Sequence, residues 1–154
     1  MIQERTTLND PVLRLWEYWF RTHLMHEHVH HLRDTFDHDL NEIVQAGLWH
    51  EFETYLSFWL SSLFVVAEGY LELKLNDPKL DRLLKKHFES LKLHRNGTYH
   101  FQRDARKQVE MVGKLNWAEK LHVEFRRYLK RHIKQAGPYI TSISSERNIA
   151  QKTL

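Results

Sequence analysis

The segment Arg95–His100 reads Arg-Asn-Gly-Thr-Tyr-His. It carries an arginine and a histidine, two residue types that can act on phosphate esters without a metal. Arginine supplies a permanent charge and a planar fork of donors that matches a phosphate group. Histidine exchanges protons near neutral pH because its unperturbed pKa is about 6.5. An arginine and a histidine that meet at one phosphate are typical of a metal-independent ribonuclease, so Arg95 and His100 are candidate catalytic residues.

Spacing does not single out this pair, because the chain has twelve arginines and twelve histidines, and four other Arg–His pairs share the separation. Those four pairs lie in predicted helices, where five residues rotate a side chain by about 500° and leave the two about 140° apart. Asn96-Gly97 is a strong turn dipeptide. We therefore expect Gly97 to end one helix, so that Arg95 and His100 converge across the turn.

Arg95, Asn96 and His100 resemble the R-N-x-x-x-H motif of HEPN domains, a family of helical ribonucleases and nucleotide-binding proteins. The resemblance spans roughly residues 10–135 and implies a bundle that forms a homodimer, with the two motifs facing each other in a cleft. It further implies that Arg95 holds the scissile phosphate and that His100 is the general acid or base. Asn96 would orient the motif or bind phosphate.

By the same resemblance the activity is that of a metal-independent endoribonuclease that leaves a 2′,3′-cyclic phosphate, or of a nuclease-derived RNA-binding protein. Such domains often belong to toxin–antitoxin or phage-defence systems, so a cognate antitoxin or inhibitor protein is a further expectation. Stacking of Tyr99 on a base is an additional hypothesis. Two alternatives remain: the Arg95–His100 segment only caps two helices, or the protein is a non-catalytic dimeric helical scaffold.

The segment His26–His30 matches H-E-x-x-H, the pattern of two zinc ligands and a glutamate base found in metalloproteases. The extended form with a glycine and a third histidine is absent, since Arg33 and Phe36 occupy those positions. Relative to the apolar stripe Met25–Val29–Leu32–Phe36, His26 and His30 lie toward the polar side of a helix. We therefore predict no buried metal site and keep His26 and His30 as weak candidates for surface metal binding. A zinc metalloprotease is the remote alternative.

Charge divides the chain in two, with a balance of −8 over residues 1–77 and +11 over residues 78–154. A basic half is what a polyanion partner such as RNA requires. A predicted helical face is basic and is a candidate RNA-backbone surface, formed by Arg127, Lys130, Arg131 and Lys134. A solvated face, or pairing between oppositely charged subunits, explains the same pattern.

Helix signals dominate, and the fold class is predicted as all-α, a four- to five-helix bundle resembling HEPN domains and dimeric. Asp10-Pro11 and Asp77-Pro78 are cap-plus-proline helix starts. The segment 51–75 is apolar nearly all round and is expected in the middle of the bundle. A break or kink is expected near the histidines, a fourth helix over Phe101–Val112, and a fifth from Asn116. We assign residues 1–137 to one domain and 138–154 to a C-terminal tail.

The remaining expectations concern cellular context. The chain has no cysteine, which fits a reducing compartment. Its longest uncharged run, Thr54–Ala67, is 14 residues, whereas a membrane span needs about 20. We therefore expect a cytoplasmic protein with no membrane partner and no cofactor.

Overall fold

The computed structural model describes residues 10–100 and 115–133, and these residues form an all-helical fold with no strand among them. Its five helices follow one another as α1 (Pro11–Thr35), α2 (Leu40–Gln45), α3 (Trp49–Glu72), α4 (Pro78–Tyr99) and α5 (Asn116–Ile133). The all-α prediction is confirmed. The predicted helix over Phe101–Val112 and the tail 138–154 lie outside the described residues.

Both cap-plus-proline starts are confirmed, because an aspartate side chain accepts backbone N–H groups at each helix start. Asp10 Oδ1 accepts from Val12 N at 2.9 Å, and Asp77 Oδ1 accepts from Lys79 N at 3.0 Å. Each proline occupies the first turn of its helix, where backbone N–H groups have no partner within the helix, so the N–H that proline lacks is not needed. The sequence alone therefore sets where α1 and α4 begin.

Helix α1 runs without a break through all five histidines between positions 23 and 31. The predicted break exists, but it lies beyond these histidines, between α1 and α2. The chain turns only after Thr35, where Asp37 and His38 adopt left-handed backbone conformations with φ of 48° and 64°. Gly47, at φ 74°, ends the short helix α2 as expected. The histidines consequently share one continuous helical face.

Helix α3 lies at the centre of the core and packs against both α1 and α4, as predicted from its apolar sequence. Trp59, Leu60 and Leu63 are fully buried on it. A Cβ atom at Gly69 would lie only 2.7 Å from Leu15 Cδ1, so the end of the Leu15 side chain packs directly against the backbone of α3 at this glycine. Helix α5 packs across α1 and α4 and buries an apolar stripe of Leu121, Phe125, Leu129 and Ile133.

Helix α4 continues through Asn96-Gly97 to Tyr99, so the predicted break at Gly97 is wrong. Packing against α3 holds the last turn: Ser61 Oγ donates to Thr98 Oγ1 at 2.8 Å, and Thr98 Oγ1 donates to His94 O at 2.9 Å. The Tyr99 ring also packs edge-on against Phe58 at 6.3 Å. These contacts outweigh the turn preference of the Asn-Gly pair.

Among the described residues, no helix combines the length and the apolar character that crossing a membrane requires.

Candidate metal centre

One face of α1 presents an aromatic and basic stripe toward α5. At 100° per residue, Trp19, His23, His26 and His30 fall within an arc of about 60°. The His23 and His26 side chains are each only 12% exposed, which overturns the prediction that His26 lies on the polar side. The prediction failed because α1 is covered on two sides, by α3 along its apolar stripe and by α5 along this one.

Helix α5 supplies a glutamate and a histidine one turn apart, Glu119 and His122, which face this stripe. His26 Nε2–H donates to Glu119 Oε2 at 2.6 Å, and His30 Nε2–H donates to Glu119 Oε1 at 3.1 Å. Together with His23, these residues form what we call the histidine–glutamate cluster: His23, His26, His30, Glu119 and His122. The cluster joins two helices that are far apart in sequence.

Glu119 is kept ionised by its neighbours. Burial acts to raise the pKa of this carboxyl, but the hydrogen bonds and charges of His26 and His30 outweigh it and hold the pKa below its usual range. Its place in the first turn of α5 also favours negative charge. At neutral pH the cluster therefore contains a carboxylate that accepts from two imidazoles.

His122 is held neutral and in one tautomer. Burial, reinforced by the positive charges that His26 and His23 can carry, lowers the pKa of His122 to about 2. The Trp59 indole N–H can only donate, and it donates to His122 Nδ1 at 3.4 Å. His122 therefore carries its proton on Nε2, which lies 3.3 Å from His23 Nδ1.

Ring packing fixes the cluster further. The His122 ring stacks on the His26 ring with centroids 4.1 Å apart and an interplanar angle of 15°. Trp59 meets the His26 ring edge-on at 4.7 Å, and Trp19 stacks on His23 at 5.0 Å. Since these rings lock one another, the imidazoles are preorganised before any ligand arrives.

Two sets of three side chains in the cluster hold one ligand atom each within 4.8 Å of one another: His26–His30–Glu119 and His23–His26–His122. In the second set His122 Nε2 bears a proton as long as Trp59 donates to Nδ1, so it has no lone pair for a cation. The first set, which we call the triad, offers two imidazole Nε2 atoms and a carboxylate. Two histidines and one carboxylate are a common ligand set for Zn²⁺ and for non-haem Fe²⁺.

Distances within the triad fit a metal ion. Ligand atoms around tetrahedral zinc are separated by about 3.3 Å, given metal–ligand bonds of about 2.0 Å. The Glu119 oxygens lie 2.6 Å from His26 Nε2 and 3.1 Å from His30 Nε2, so these two separations need to widen by less than about 1 Å. All three ligand atoms lie within 4.8 Å of one another. His26 Nδ1 is buried with no hydrogen-bond partner among the described residues, so no bond prevents the ring proton from moving there.

The H-E-x-x-H pattern is only partly reflected in this geometry. The third side chain beside His26 and His30 is acidic, Glu119, whereas the extended pattern would supply a third histidine. Glu27 is exposed, and its Oε1 lies 3.6 Å from His23 Nε2. The glutamate of the pattern is therefore paired with another histidine of the cluster.

The Arg95–His100 segment lies at the end of α4. Arg95 is exposed, its guanidinium lies 5.9 Å from the Phe64 ring centroid, and its Nη1 donates to Asn96 Oδ1 at 3.2 Å. His100 is the C-cap residue, and its N–H donates to Asn96 O at 3.0 Å. Tyr99 is 58% exposed. The four residues share one helix end without the turn that was expected to make Arg95 and His100 converge.

The basic face on α5 is partly matched by an acidic side chain. Arg127 Nη2 donates to both carboxylate oxygens of Asp77 at 2.9 Å, and Arg131 Nη2 donates to Asp77 Oδ2 at 2.9 Å. Lys130 is exposed, and Lys134 lies outside the described residues. Arg127 and Arg131, both predicted to bind phosphate, therefore already hold a carboxylate.

Sequence reasoning missed His23, Glu119 and His122. Two signals were present: histidines at spacings of three and four that follow Trp19 on one face, and the Glu119-Lys120-Leu121-His122 run, a Glu-x-x-His pair one turn apart. Neither signal indicates that α5 packs on α1, and that packing is what assembles the cluster.

No family model matches the chain, and no curated protein or solved structure matches it either.

Proposed function

We propose that this protein binds a divalent transition metal ion, Zn²⁺ or Fe²⁺, through His26 Nε2, His30 Nε2 and the Glu119 carboxylate. The observation that carries the proposal is the approach of Glu119 to within hydrogen-bonding distance of both imidazoles across two helices. Such a cluster contributes little net stability, because burying charged groups offsets most of their attraction.

The triad suits catalysis better than a purely structural role. Three protein ligands leave at least one position for water, as in catalytic zinc sites, whereas structural zinc sites are closed by four. His30 is 35% exposed and Glu119 24%, so the open side faces solvent. When bound, the metal would lower the pKa of its water and act as a Lewis acid in hydrolysis. Peptide hydrolysis would also require Glu27 to turn from His23 toward that water.

Metal binding is tested by titrating Co²⁺ into the metal-stripped protein and following its visible absorption, with Zn²⁺ and Fe²⁺ as competitors. We expect one equivalent to bind. Glu119→Gln, His26→Gln and His30→Gln should each weaken affinity by at least about a hundredfold, the upper end for losing an outer-sphere partner. His31→Gln, the next residue on α1 and exposed, is the matched control. Wild-type affinity in all three variants, with circular dichroism unchanged, would refute the proposal.

The exposed end of α4 supports a second candidate function. We propose that Arg95, Asn96, Tyr99 and His100 bind RNA. Metal-independent cleavage by Arg95 and His100, which the HEPN resemblance implies, requires the end of α4 to turn at Gly97 so that the two side chains converge on one phosphate. The supporting observation is that Arg95, Tyr99 and His100 are all exposed within the last helical turn and its cap. A homodimer and a cognate inhibitor protein belong to this second proposal.

The second proposal is tested by RNA cleavage in EDTA with wild type, Arg95→Ala and His100→Ala. Loss of cleavage in both variants would support it, and undiminished cleavage in either would refute it. Because EDTA removes the metal, Glu119→Gln should cleave as well as wild type.

A further inference from the structure

Arg33 lies on the same face of α1 as the triad, one turn beyond His30. Relative to His26 it is rotated by only about 20° at 100° per residue. Its Nη1 is 3.8 Å from Glu119 Oε1, and its side chain is 30% exposed. Arg33 therefore borders the solvent-facing side of the triad.

Charge in this region favours an anion. With a divalent ion bound to the triad, the charges of the ion, Glu119 and Arg33 sum to about +2. The triad also lies at the first turn of α5, where the helix dipole favours negative charge. Once the metal takes the Glu119 carboxylate, the Arg33 guanidinium can turn to a second acceptor.

We propose that the open metal positions and Arg33 together bind the dianion of a phosphate monoester. This rests on the proposed metal site and names the class of ligand that the site takes. A dianion neutralises the local charge, whereas a carboxylate leaves about one positive charge. The guanidinium fork matches phosphate oxygens, and a metal ion holds one such oxygen while Arg33 holds another.

The experiment uses the Co²⁺-loaded full chain and phenyl phosphate as the probe, followed by the change in cobalt absorption. We expect phenyl phosphate to bind and Arg33→Gln to weaken it by about tenfold or more, the effect of one charge-assisted hydrogen bond. Arg33→Lys should restore part of the loss by keeping the charge. Arg14→Gln, an exposed arginine on α1 whose Nη1 lies 2.5 Å from Glu17 Oε2, is the matched control and should bind like wild type.

The outcomes separate the two claims. Failure of wild type to bind Co²⁺ would overturn the metal site and this inference with it. Cobalt binding with no spectral response to phenyl phosphate, or equal phosphate affinity in Arg33→Gln and wild type, would overturn only the anion site. An acetate affinity equal to that for phenyl phosphate would overturn the assignment to a phosphate dianion.

Discussion

The histidine–glutamate cluster and the Arg95–His100 segment both combine histidine with a charged partner, but they are held in different ways. The cluster is assembled from α1 and α5, lies between aromatic rings, and has two largely buried imidazoles on α1. The segment is continuous in sequence and sits exposed at the end of α4. A short motif fixes which residues are neighbours along the chain, whereas packing fixes where their side chains point. In this protein the site with the better-defined geometry is the one that tertiary packing assembles, the histidine–glutamate cluster.

The largest expected difference between the two regions is their response to metal. A ligand that binds only the folded state stabilises it by about 4 kcal/mol at a thousandfold excess over Kd. We expect saturating Zn²⁺ to raise the free energy of unfolding of wild type and of Arg95→Ala by that order, measured by urea denaturation. At the same Zn²⁺ concentration Glu119→Gln, whose affinity is expected to be at least about a hundredfold weaker, should gain no more than about 1.4 kcal/mol. Stabilisation of all three to the same extent would place the metal outside the cluster.

A smaller effect tests whether Trp59 belongs to the cluster. Trp59→Phe keeps a large ring but leaves His122 Nδ1 buried without its donor, so stability should fall by about 1–3 kcal/mol beyond the loss of ring area. Trp16→Phe is the matched control, because Trp16 Nε1 is buried with no partner among the described residues. Removing the Trp16 N–H should lower the free energy of unfolding by less than removing the Trp59 N–H does. Urea denaturation in EDTA measures both losses. Equal losses would show that the bond to His122 contributes nothing.

How far the sequence predicts this fold differs between its parts. The starts of α1 and α4 follow from Asp-Pro pairs, and the burial of α3 follows from its apolar centre. Both features are predictable because they depend on residues that are close together in the sequence. The prediction of a break at Gly97 was wrong because contacts of Ser61, Thr98 and Tyr99 between α3 and α4 determine where α4 ends. The cluster was missed because Glu119 lies 89 residues from His30, a pairing that only tertiary packing determines.

The end of α4 should respond to acid through His94, which is buried beside the exposed Arg95. Burial lowers the pKa of His94 below its usual range, so the unfolded chain takes up a proton first, near pH 6.5. The stability from neutral His94 is present above that pH and is lost as the pH falls below it. We expect His94→Leu to lose less stability than wild type between pH 7.5 and 5.5, by urea denaturation in EDTA.

The control for this acid response is His100→Leu, which changes an exposed histidine at the same helix end. It should follow the wild-type decline, and the decline that remains in His94→Leu should include His122, whose lowered pKa has the same sign. A His94→Leu curve parallel to wild type would show that His94 is not buried as described.

The smallest effect concerns the helix at Gly97. If α4 is helical there, Gly97→Ala should raise the free energy of unfolding by about 0.4–1 kcal/mol, because alanine restricts the unfolded chain. Gly47→Ala, at a position with φ of 74°, should lower it by about 1 kcal/mol or more. Thermal or urea unfolding measures both. If Gly97→Ala instead lowered the free energy of unfolding, the result would support the turn predicted from the sequence and, with it, the convergence of Arg95 and His100.

Asp77 has a consequence for the metal triad although it lies elsewhere in the bundle. The same carboxylate caps α4 and accepts from Arg127 and Arg131, and these bonds outweigh its burial to keep its pKa low. Arg127 lies about 12 Å along α5 from Glu119. Asp77 thus joins α5 to the first turn of α4 through two arginines on one side of α5. We infer that fraying of that turn would shift Glu119 relative to α1, and in that case the affinity for the proposed metal ion would be linked to the stability of the first turn of α4.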